Sequence, residues 1–195
     1  MKILKLLSIA IFSLSMNAQA TVAKFEMKKN NGVVKFFALG NPSAIRIDGV
    51  GTGPEGRLEV VADEKQSKIA GQFVFEVVSL NSGIDMRDTH MKEKYLEVEK
   101  FPTAKFTLET INMDGNILKN FNKANVPFTG IMNLHGKEKA VAGIADLKSV
   151  SKDEVKVIAK FKVKSSDFNI EIPSFAGITV ADEIDLEVEM QAAPK

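Results

Sequence analysis

The chain is dominated by stretches in which apolar and polar residues alternate, the pattern of a β-strand with one buried face. The two clearest stretches lie near the C-terminus, at Val155 to Lys164 and at Glu183 to Met190. Lysines occupy the polar face of the first stretch, and glutamates and aspartates occupy the polar face of the second. Because opposite charges on neighbouring strands stabilise antiparallel pairing, we predict that these strands pair with their charges pointing out of the protein.

Similar alternation elsewhere predicts an all-β fold. The further predicted strands are Thr21 to Met27, Gly32 to Ala38, Ser43 to Asp48, Arg57 to Ala62, Gln66 to Val78, Ala104 to Glu109, Val126 to Leu134 and Ala140 to Leu147. We expect the first two to be separate strands joined by a turn at Lys28 to Gly32, and the next two to form a pair. About eight or nine such strands are typical of a sandwich or a closed antiparallel barrel, and the pattern does not choose between them.

One stretch interrupts the alternation and predicts a single short helix near residues 86–95. Asp85 is the expected N-cap, and Asp88 occupies the capping-box position three residues later. A helix here would place three larger side chains on one side, namely Met86, Met91 and Tyr95.

Residues 51–56, Gly-Thr-Gly-Pro-Glu-Gly, match the spacing of a dinucleotide-binding loop. That motif needs a helix directly after it, so that the helix N-terminus points at the pyrophosphate. The residues that follow, Arg57 to Ala62, have the pattern of a strand instead. We therefore interpret the glycines as a hairpin loop.

The N-terminus has the pattern of a secretory signal peptide at residues 1–20. Lys2 and Lys5 precede an apolar run at residues 6–14, and Ala18-Gln-Ala20 has the small residues of a cleavage site. We expect a mature domain at residues 21–195 that is periplasmic or secreted. No later stretch reaches about 18 uninterrupted apolar residues, so we expect no transmembrane segment after signal removal.

Composition excludes several functional classes. The chain has 26 basic and 25 acidic side chains, which is not the balance of a nucleic-acid-binding protein. It has no cysteine, and its two histidines, His90 and His135, are too few for a three-histidine metal site. Neither a nucleophile elbow nor a zinc-protease motif occurs. We therefore expect no enzymatic activity and no cofactor; a hydrolase using His90 and Asp88 is the weakest alternative.

Three segments resemble the YceI-like family of secreted polyisoprenoid-binding proteins. The first is Ser-Leu-Asn-Ser-Gly-x-x-x-Arg-Asp-x-His-Met from Ser79, followed by Lys-Phe-Pro-x-x-x-Phe, which ends at Phe106. The second, Phe128 to Val141, resembles a hairpin of that family. The third, Lys164 to Ile170, resembles its Ser-Asp-Phe-Gly-Ile segment, with Asn169 where glycine is usual.

The resemblance implies a lipocalin-like antiparallel β-barrel of about eight strands with one short helix. It also implies a ligand, a long apolar isoprenoid-type lipid such as a polyprenyl phosphate or a quinone-like molecule, held for transport, storage or stress protection. The residues that match family motifs and become candidate contacts are Arg87, Asp88, His90, Asp167 and Phe168. Inward-facing rings complete the candidate site, namely Phe73, Phe75, Phe106, Phe128 and Phe161.

Two alternatives remain open for these residues. The inward phenylalanines either fill a solid core or line a ligand cavity. The cluster of Arg87, Asp88 and His90 either contacts a lipid head group or braces the helix against the barrel rim. The corresponding second hypothesis for function is a stress-related structural or protein-interaction barrel with a filled core and no ligand. Pairing of two copies as a homodimer is also open.

Overall fold

The computed structural model describes residues 19–42, 45–151, 154–175 and 177–195. Most of the predicted signal peptide, residues 1–18, lies outside this part of the chain. Within the described residues, eleven strands form one antiparallel sheet. The strands are β1 (Thr21–Asn41), β2 (Ile45–Thr52), β3 (Glu55–Ala62), β4 (Gln66–Glu76), β5 (Thr103–Asp114), β6 (Lys123–Leu134), β7 (Lys137–Ser151), β8 (Glu154–Lys164), β9 (Ser174–Phe175), β10 (Ile178–Val180) and β11 (Glu183–Pro194).

Eight of these strands close into a barrel. Their order is β1, β3, β4, β5, β6, β7, β8 and β11, and β11 pairs back onto β1. The predicted all-β, lipocalin-like antiparallel barrel is therefore confirmed. None of the helices among the described residues combines the length and hydropathy that a bilayer-spanning helix needs.

The first strand is one long element rather than the two that we predicted. β1 continues from Thr21 to Asn41 without a turn. Its register against β11 shifts between Met27 and Gly32, so the polar residues that we assigned to a turn form an irregularity within the strand. The chain keeps its direction because β11 pairs with β1 on both sides of this irregularity.

β2 and β3 lie end to end along one edge of β1. β2 pairs with Val33 to Gly40, and β3 pairs with Thr21 to Met27. The predicted pairing of these two strands with each other is therefore wrong, and so is the hairpin-loop interpretation of the glycine-rich residues 51–56. These residues join two collinear strands. The exclusion of a dinucleotide loop is supported, since strand β3 follows where that motif requires a helix.

The predicted pairing of the last two long strands, β8 and β11, is confirmed. Asp185 lies opposite Lys162 and Glu187 lies opposite Lys160. Ion pairs connect these outer faces: Lys156 with Glu189, Lys160 with Glu187, and Lys162 with both Glu183 and Asp185.

A lysine from a third strand extends this network. Lys35 of β1 lies 2.9 Å from a carboxylate oxygen of Glu187 and 2.5 Å from one of Glu189. Hydrogen bonds from Lys156 and Lys35 lower the pKa of Glu189 to about 2. The acidic strand is therefore neutralised from both neighbours, and not only from the one that we predicted.

The predicted short helix is confirmed, but its cap is not. Helix α1 (Asp85–Thr89) continues into a π-helical turn, His90–Tyr95. Ile84 is the N-cap and provides no side-chain hydrogen bond, while Asp85 is the first helical residue. Asp88 accepts hydrogen bonds from the Ser82 backbone N–H and hydroxyl instead. A turn at Gly83, with φ of 79°, brings Ser82 back over the helix.

The end of the barrel away from the helix is packed shut. The segment between β5 and β6 places Ile117 and Phe121 over this end, and the Phe121 ring meets Phe25 edge to face at 5.5 Å. The hydroxyl of Ser67, which is fully buried, donates to the Gly115 carbonyl and accepts from the Ile117 N–H. We call this region the closed end.

Candidate functional site

The barrel interior contains a cavity of about 610 Å³. This volume lies within the range of roughly 300–1,000 Å³ that is usual for small-molecule sites. All eight barrel strands contribute to its lining, which extends inward as far as Ile69, Ile111 and Leu147. The side chains of the barrel therefore do not fill it, and the filled-core alternative is not supported.

Each of the five candidate rings on the strands lines this cavity: Phe73, Phe75, Phe106, Phe128 and Phe161. Phe106 meets Phe128 edge to face at 5.8 Å and stacks nearly parallel to Phe161 at 6.5 Å. These contacts make one wall of the cavity aromatic, from β4 to β8. The other wall, from β11, β1 and β3, is mostly aliphatic, with Val34, Leu58 and Val188, and it also carries the ring of Phe36.

Polar lining residues occur at only one end of the cavity. They come from residues 82–95, from the start of β5 and from residues 165–174, which all lie at the end of the barrel that carries the helix. The deeper lining is apolar. A guest molecule with one polar end would thus find polar partners at this end and hydrocarbon-like surroundings below it.

The cavity opens to solvent beside the helix. Ile45, Ile84 and Met86 line the cavity and are nevertheless 43%, 54% and 63% exposed. Ile45 begins β2, Ile84 is the N-cap of α1, and Met86 lies in the first turn of α1. These three residues define the open end of the barrel.

The Arg87, Asp88 and His90 cluster lies at this open end, and its members differ in position. Arg87 and His90 line the cavity, whereas Asp88 is buried beside it and does not. Arg87 donates through Nε to the Ser82 hydroxyl at 2.7 Å and through Nη2 to the Ser82 carbonyl at 2.8 Å. Since Asp88 also binds Ser82, both charged side chains brace the helix, and Arg87 in addition faces the cavity.

The second candidate pair, Asp167 and Phe168, is divided between the outside and the inside of the barrel. Phe168 is 1% exposed and lines the cavity. Asp167 lies in a small outer groove together with Lys139 and Lys164. The next residue, Asn169, has a left-handed conformation with φ of 57°. This explains why glycine is usual here in the resembled motif, and why asparagine is accepted in its place.

His135 is a structural residue that sequence reasoning did not select. Its Nδ1 lies 3.1 Å from the Phe168 carbonyl and its Nε2 lies 3.0 Å from a Glu97 carboxylate oxygen. Its ring packs on Phe101 with centroids 4.3 Å apart. His135 therefore joins three segments around the open end. The signal was its place in the Leu-His-Gly-Lys turn between β6 and β7, which by itself indicated only a loop.

Glu97, near this end, forms an ion pair with Lys100. Lys100, and to a lesser extent His135, lower the pKa of Glu97 below its usual value by hydrogen bonding to its carboxylate. Among the residues that the structure describes, no group of three or more histidines, aspartates and glutamates is arranged to hold a metal ion.

Comparisons with known proteins agree with this architecture. The family model of the YceI-like domain matches residues 15–192. A polyisoprenoid-binding domain from Saccharophagus degradans, implicated in plant cell wall breakdown, has a TM-score of 0.62 at 11% identity, covering 90% of this chain and 100% of that one. Burkholderia cenocepacia BcnA has a TM-score of 0.65 at 15% identity, covering 86% and 99%. No curated protein matches the chain. At these identities the two structures show a shared fold.

Proposed function

Because this chain belongs to the YceI-like domain family, we propose that it is an exported protein that holds a long apolar isoprenoid-type lipid inside its barrel. The observation that carries the proposal is the hollow interior of about 610 Å³, apolar throughout except at the open end. One protein of the same fold is itself described as a polyisoprenoid-binding domain. The signal-peptide pattern at residues 1–20 supports export to the periplasm or beyond.

The length of the barrel favours a long chain over a compact molecule. Tilted strands of the length of β4 to β6 give a barrel roughly 25–30 Å tall. Each methylene buried in such an interior stabilises the complex by about 0.8 kcal/mol. Affinity should therefore increase with chain length until the lipid reaches the closed end.

The head group of the lipid would lie at the open end. Arg87 and His90 line this part of the cavity, and the hydrogen bonds to Ser82 hold the guanidinium in position. A guanidinium suits a phosphate or a quinone carbonyl, because it is always charged and donates hydrogen bonds in a fixed plane. In this proposal Asp88 acts through Ser82 and does not touch the lipid. The protein acts by binding, as a carrier, store or protective sink.

Extraction of the purified protein tests the proposal directly. Organic-solvent extraction followed by mass spectrometry should release an isoprenoid in near-stoichiometric amount. Ala159 lines the cavity, whereas Ala142 is exposed on the outside of β7. Ala159→Phe should therefore reduce the amount of bound lipid, and Ala142→Phe should not. Wild-type protein that contains no lipid and takes up no added isoprenoid would overturn the proposal.

The contribution of Arg87 has its own test. Arg87→Ala should weaken binding of a polyprenyl phosphate by about tenfold, the value of one charge-assisted hydrogen bond. It should lower the free energy of unfolding by only about 1 kcal/mol, because its hydrogen bonds to Ser82 are only partly buried. The matched probe is the corresponding polyprenol, which lacks the phosphate and whose affinity should change less. A large loss of stability with unchanged phosphate affinity would assign Arg87 to bracing alone.

A further inference from the structure

The cavity remains open although several phenylalanines point into it, and glycines on the same inward faces explain how. A methyl group at each of these glycines would collide with a phenyl ring, because carbon atoms in contact are about 3.5–4.0 Å apart. The pairs, with the distance from that methyl carbon to the ring Cζ, are Gly51 with Phe75 (2.9 Å), Gly71 with Phe73 (2.9 Å), Gly143 with Phe128 (2.7 Å) and Gly130 with Phe106, which is closer still. Each ring thus occupies the space of a missing side chain.

Gly143 illustrates the arrangement. It lies directly opposite Phe128 on β6 and directly opposite Phe161 on β8. The two rings close over the glycine and meet edge to face at 6.1 Å. They can approach each other along the wall only because the strand between them has no side chain at this position.

We infer that these inward glycines determine the bore of the cavity, meaning its internal width, and hence which apolar chains enter it. The inference depends on the proposed function, because it names specificity-determining positions of the same site. The physical reason is the direction in which a displaced ring can move. With the strand backbone behind it, a ring displaced by a new methyl group has free space only towards the barrel axis. A narrower bore excludes methyl-branched chains before it excludes straight ones.

The glycines differ in whether an added methyl group would meet only side chains or also the backbone, and this decides which of them can test the inference. A methyl group at Gly130 or Gly143 would also collide with a backbone carbonyl, of Thr107 and Lys160 respectively, so that strand pairing itself would change. At Gly51 the three nearest atoms all belong to side chains, those of Phe75 and Ser79. At Gly71 the nearest atom is again a ring carbon, with the Arg57 carbonyl at 3.0 Å. Gly71→Ala and Gly51→Ala are therefore the variants of choice.

The experiment measures binding of two alcohols by displacement of a fluorescent apolar dye. Phytanol and hexadecanol share one main-chain length, and only phytanol carries methyl branches. Gly71→Ala should weaken phytanol binding by about tenfold, the cost of overpacking a fitted site, and hexadecanol binding much less. Ala70→Val adds bulk at the neighbouring exposed position and should leave both affinities unchanged.

A second substitution distinguishes the ring from the strand as the cause. Phe73→Leu added to Gly71→Ala removes the displaced ring and should return phytanol binding to near the wild-type level. If Gly71→Ala does not fold, Gly51→Ala with Phe75→Leu makes the same comparison. Equal losses for both alcohols, or no loss for either, would overturn the inference.

Crystal structures of the variants separate this inference from the proposed function. The ring of Phe73 or Phe75 should move inward and the cavity volume should fall, whatever the cargo is. An unchanged cavity would overturn the bore inference alone. Wild-type protein that binds neither alcohol nor any isoprenoid would overturn the proposed function, while the measured ring positions would still decide the role of the glycines.

Discussion

The two ends of the barrel place similar apolar side chains in opposite environments. At the closed end, Ile117 and Phe121 are 2% and 9% exposed, whereas at the open end Ile84 and Met86 are 54% and 63% exposed. The closed end is packed and its buried hydroxyl, that of Ser67, has partners on both sides. The open end leaves an apolar entrance to the cavity.

The two ends differ in role: the closed end is packed against solvent, and the open end gives access to the cavity. Burial of apolar side chains stabilises the fold in proportion to the area removed from water, and at the closed end Ile117 and Phe121 belong to the larger buried cluster.

The open end has its own buried apolar cluster around Phe168 and Ile170. Hydrogen bonds of Arg87 and Asp88 with Ser82, and of His135 with Phe168, hold the surrounding segments. Ile84 and Met86, at the start of the helix, are exposed. Segments with few buried apolar contacts open most readily, so this segment suits the entrance through which a lipid would pass.

Truncation of one large side chain at each end should give the largest contrast. Phe121→Ala should lower the free energy of unfolding by about 3–4 kcal/mol, because it leaves a cavity against Phe25. Met86→Ala should change it by less than about 0.5 kcal/mol. Urea titration of both variants measures the difference. Similar losses at the two ends would show that the open end is packed as tightly as the closed one.

Removal of a hydroxyl at each end should give a smaller contrast. Ser67→Ala should cost about 2 kcal/mol, since the buried Ile117 N–H and Gly115 carbonyl both lose a partner. Ser174→Ala at the open end removes an exposed hydroxyl and should be close to neutral. Thermal unfolding compares the two, and a neutral Ser67→Ala would contradict the importance of the buried hydrogen bonds.

The effect of low pH on the stability given by the outer ion pairs should depend on how exposed each carboxylate is. Glu189, which is 22% exposed, has its pKa lowered from 4.5 to about 2. Its carboxylate therefore stabilises the fold above about pH 4.5, and this contribution declines as the pH falls towards 2. Glu189→Gln should cost about 1–2 kcal/mol at pH 7, and the difference from wild type should disappear near pH 2.

The matched control for this pH dependence is Glu183, whose ion pair with Lys162 lies nearer the open end and is about half exposed. Glu183→Gln should have no measurable effect on unfolding at either pH, because exposed pairs are screened by solvent. Urea titrations at several pH values would contradict the assignment if Glu189→Gln cost the same amount at pH 2 and pH 7.

The smallest effects should come from backbone conformation. Asn169 at the open end and Gly115 at the closed end both have positive φ, of 57° and 79°. Alanine at either position should cost about 1 kcal/mol, while Asn169→Gly should stay within about 0.5 kcal/mol of wild type. Equal thermal stability of Asn169→Ala and wild type would show that the loop above the cavity relaxes without cost.

Several features were predicted because neighbouring residues alone encode them. Alternation along Val155 to Lys164 and Glu183 to Met190 identified both strands, and their opposite charges identified them as partners. The break in alternation near residues 86–95 identified the helix. Motif resemblance, rather than periodicity, selected the barrel over the sandwich, because both folds use strands with one buried face.

Other features depend on strands that are far apart in the chain. No local pattern places Lys35 against Glu189. Nor does one show that β1 stays continuous where its neighbour changes from β3 to β2. The same holds for His135, whose two partners are 33 and 38 residues away.

The amino-acid sequence by itself determined that this is an all-β domain, which strands carry complementary charge, and which residues face inward. Only the tertiary structure decided that the interior is hollow. The physical reason is register: whether a ring such as Phe128 fills the barrel or lies against its wall depends on the residue opposite it. Here that residue is Gly143, on the next strand.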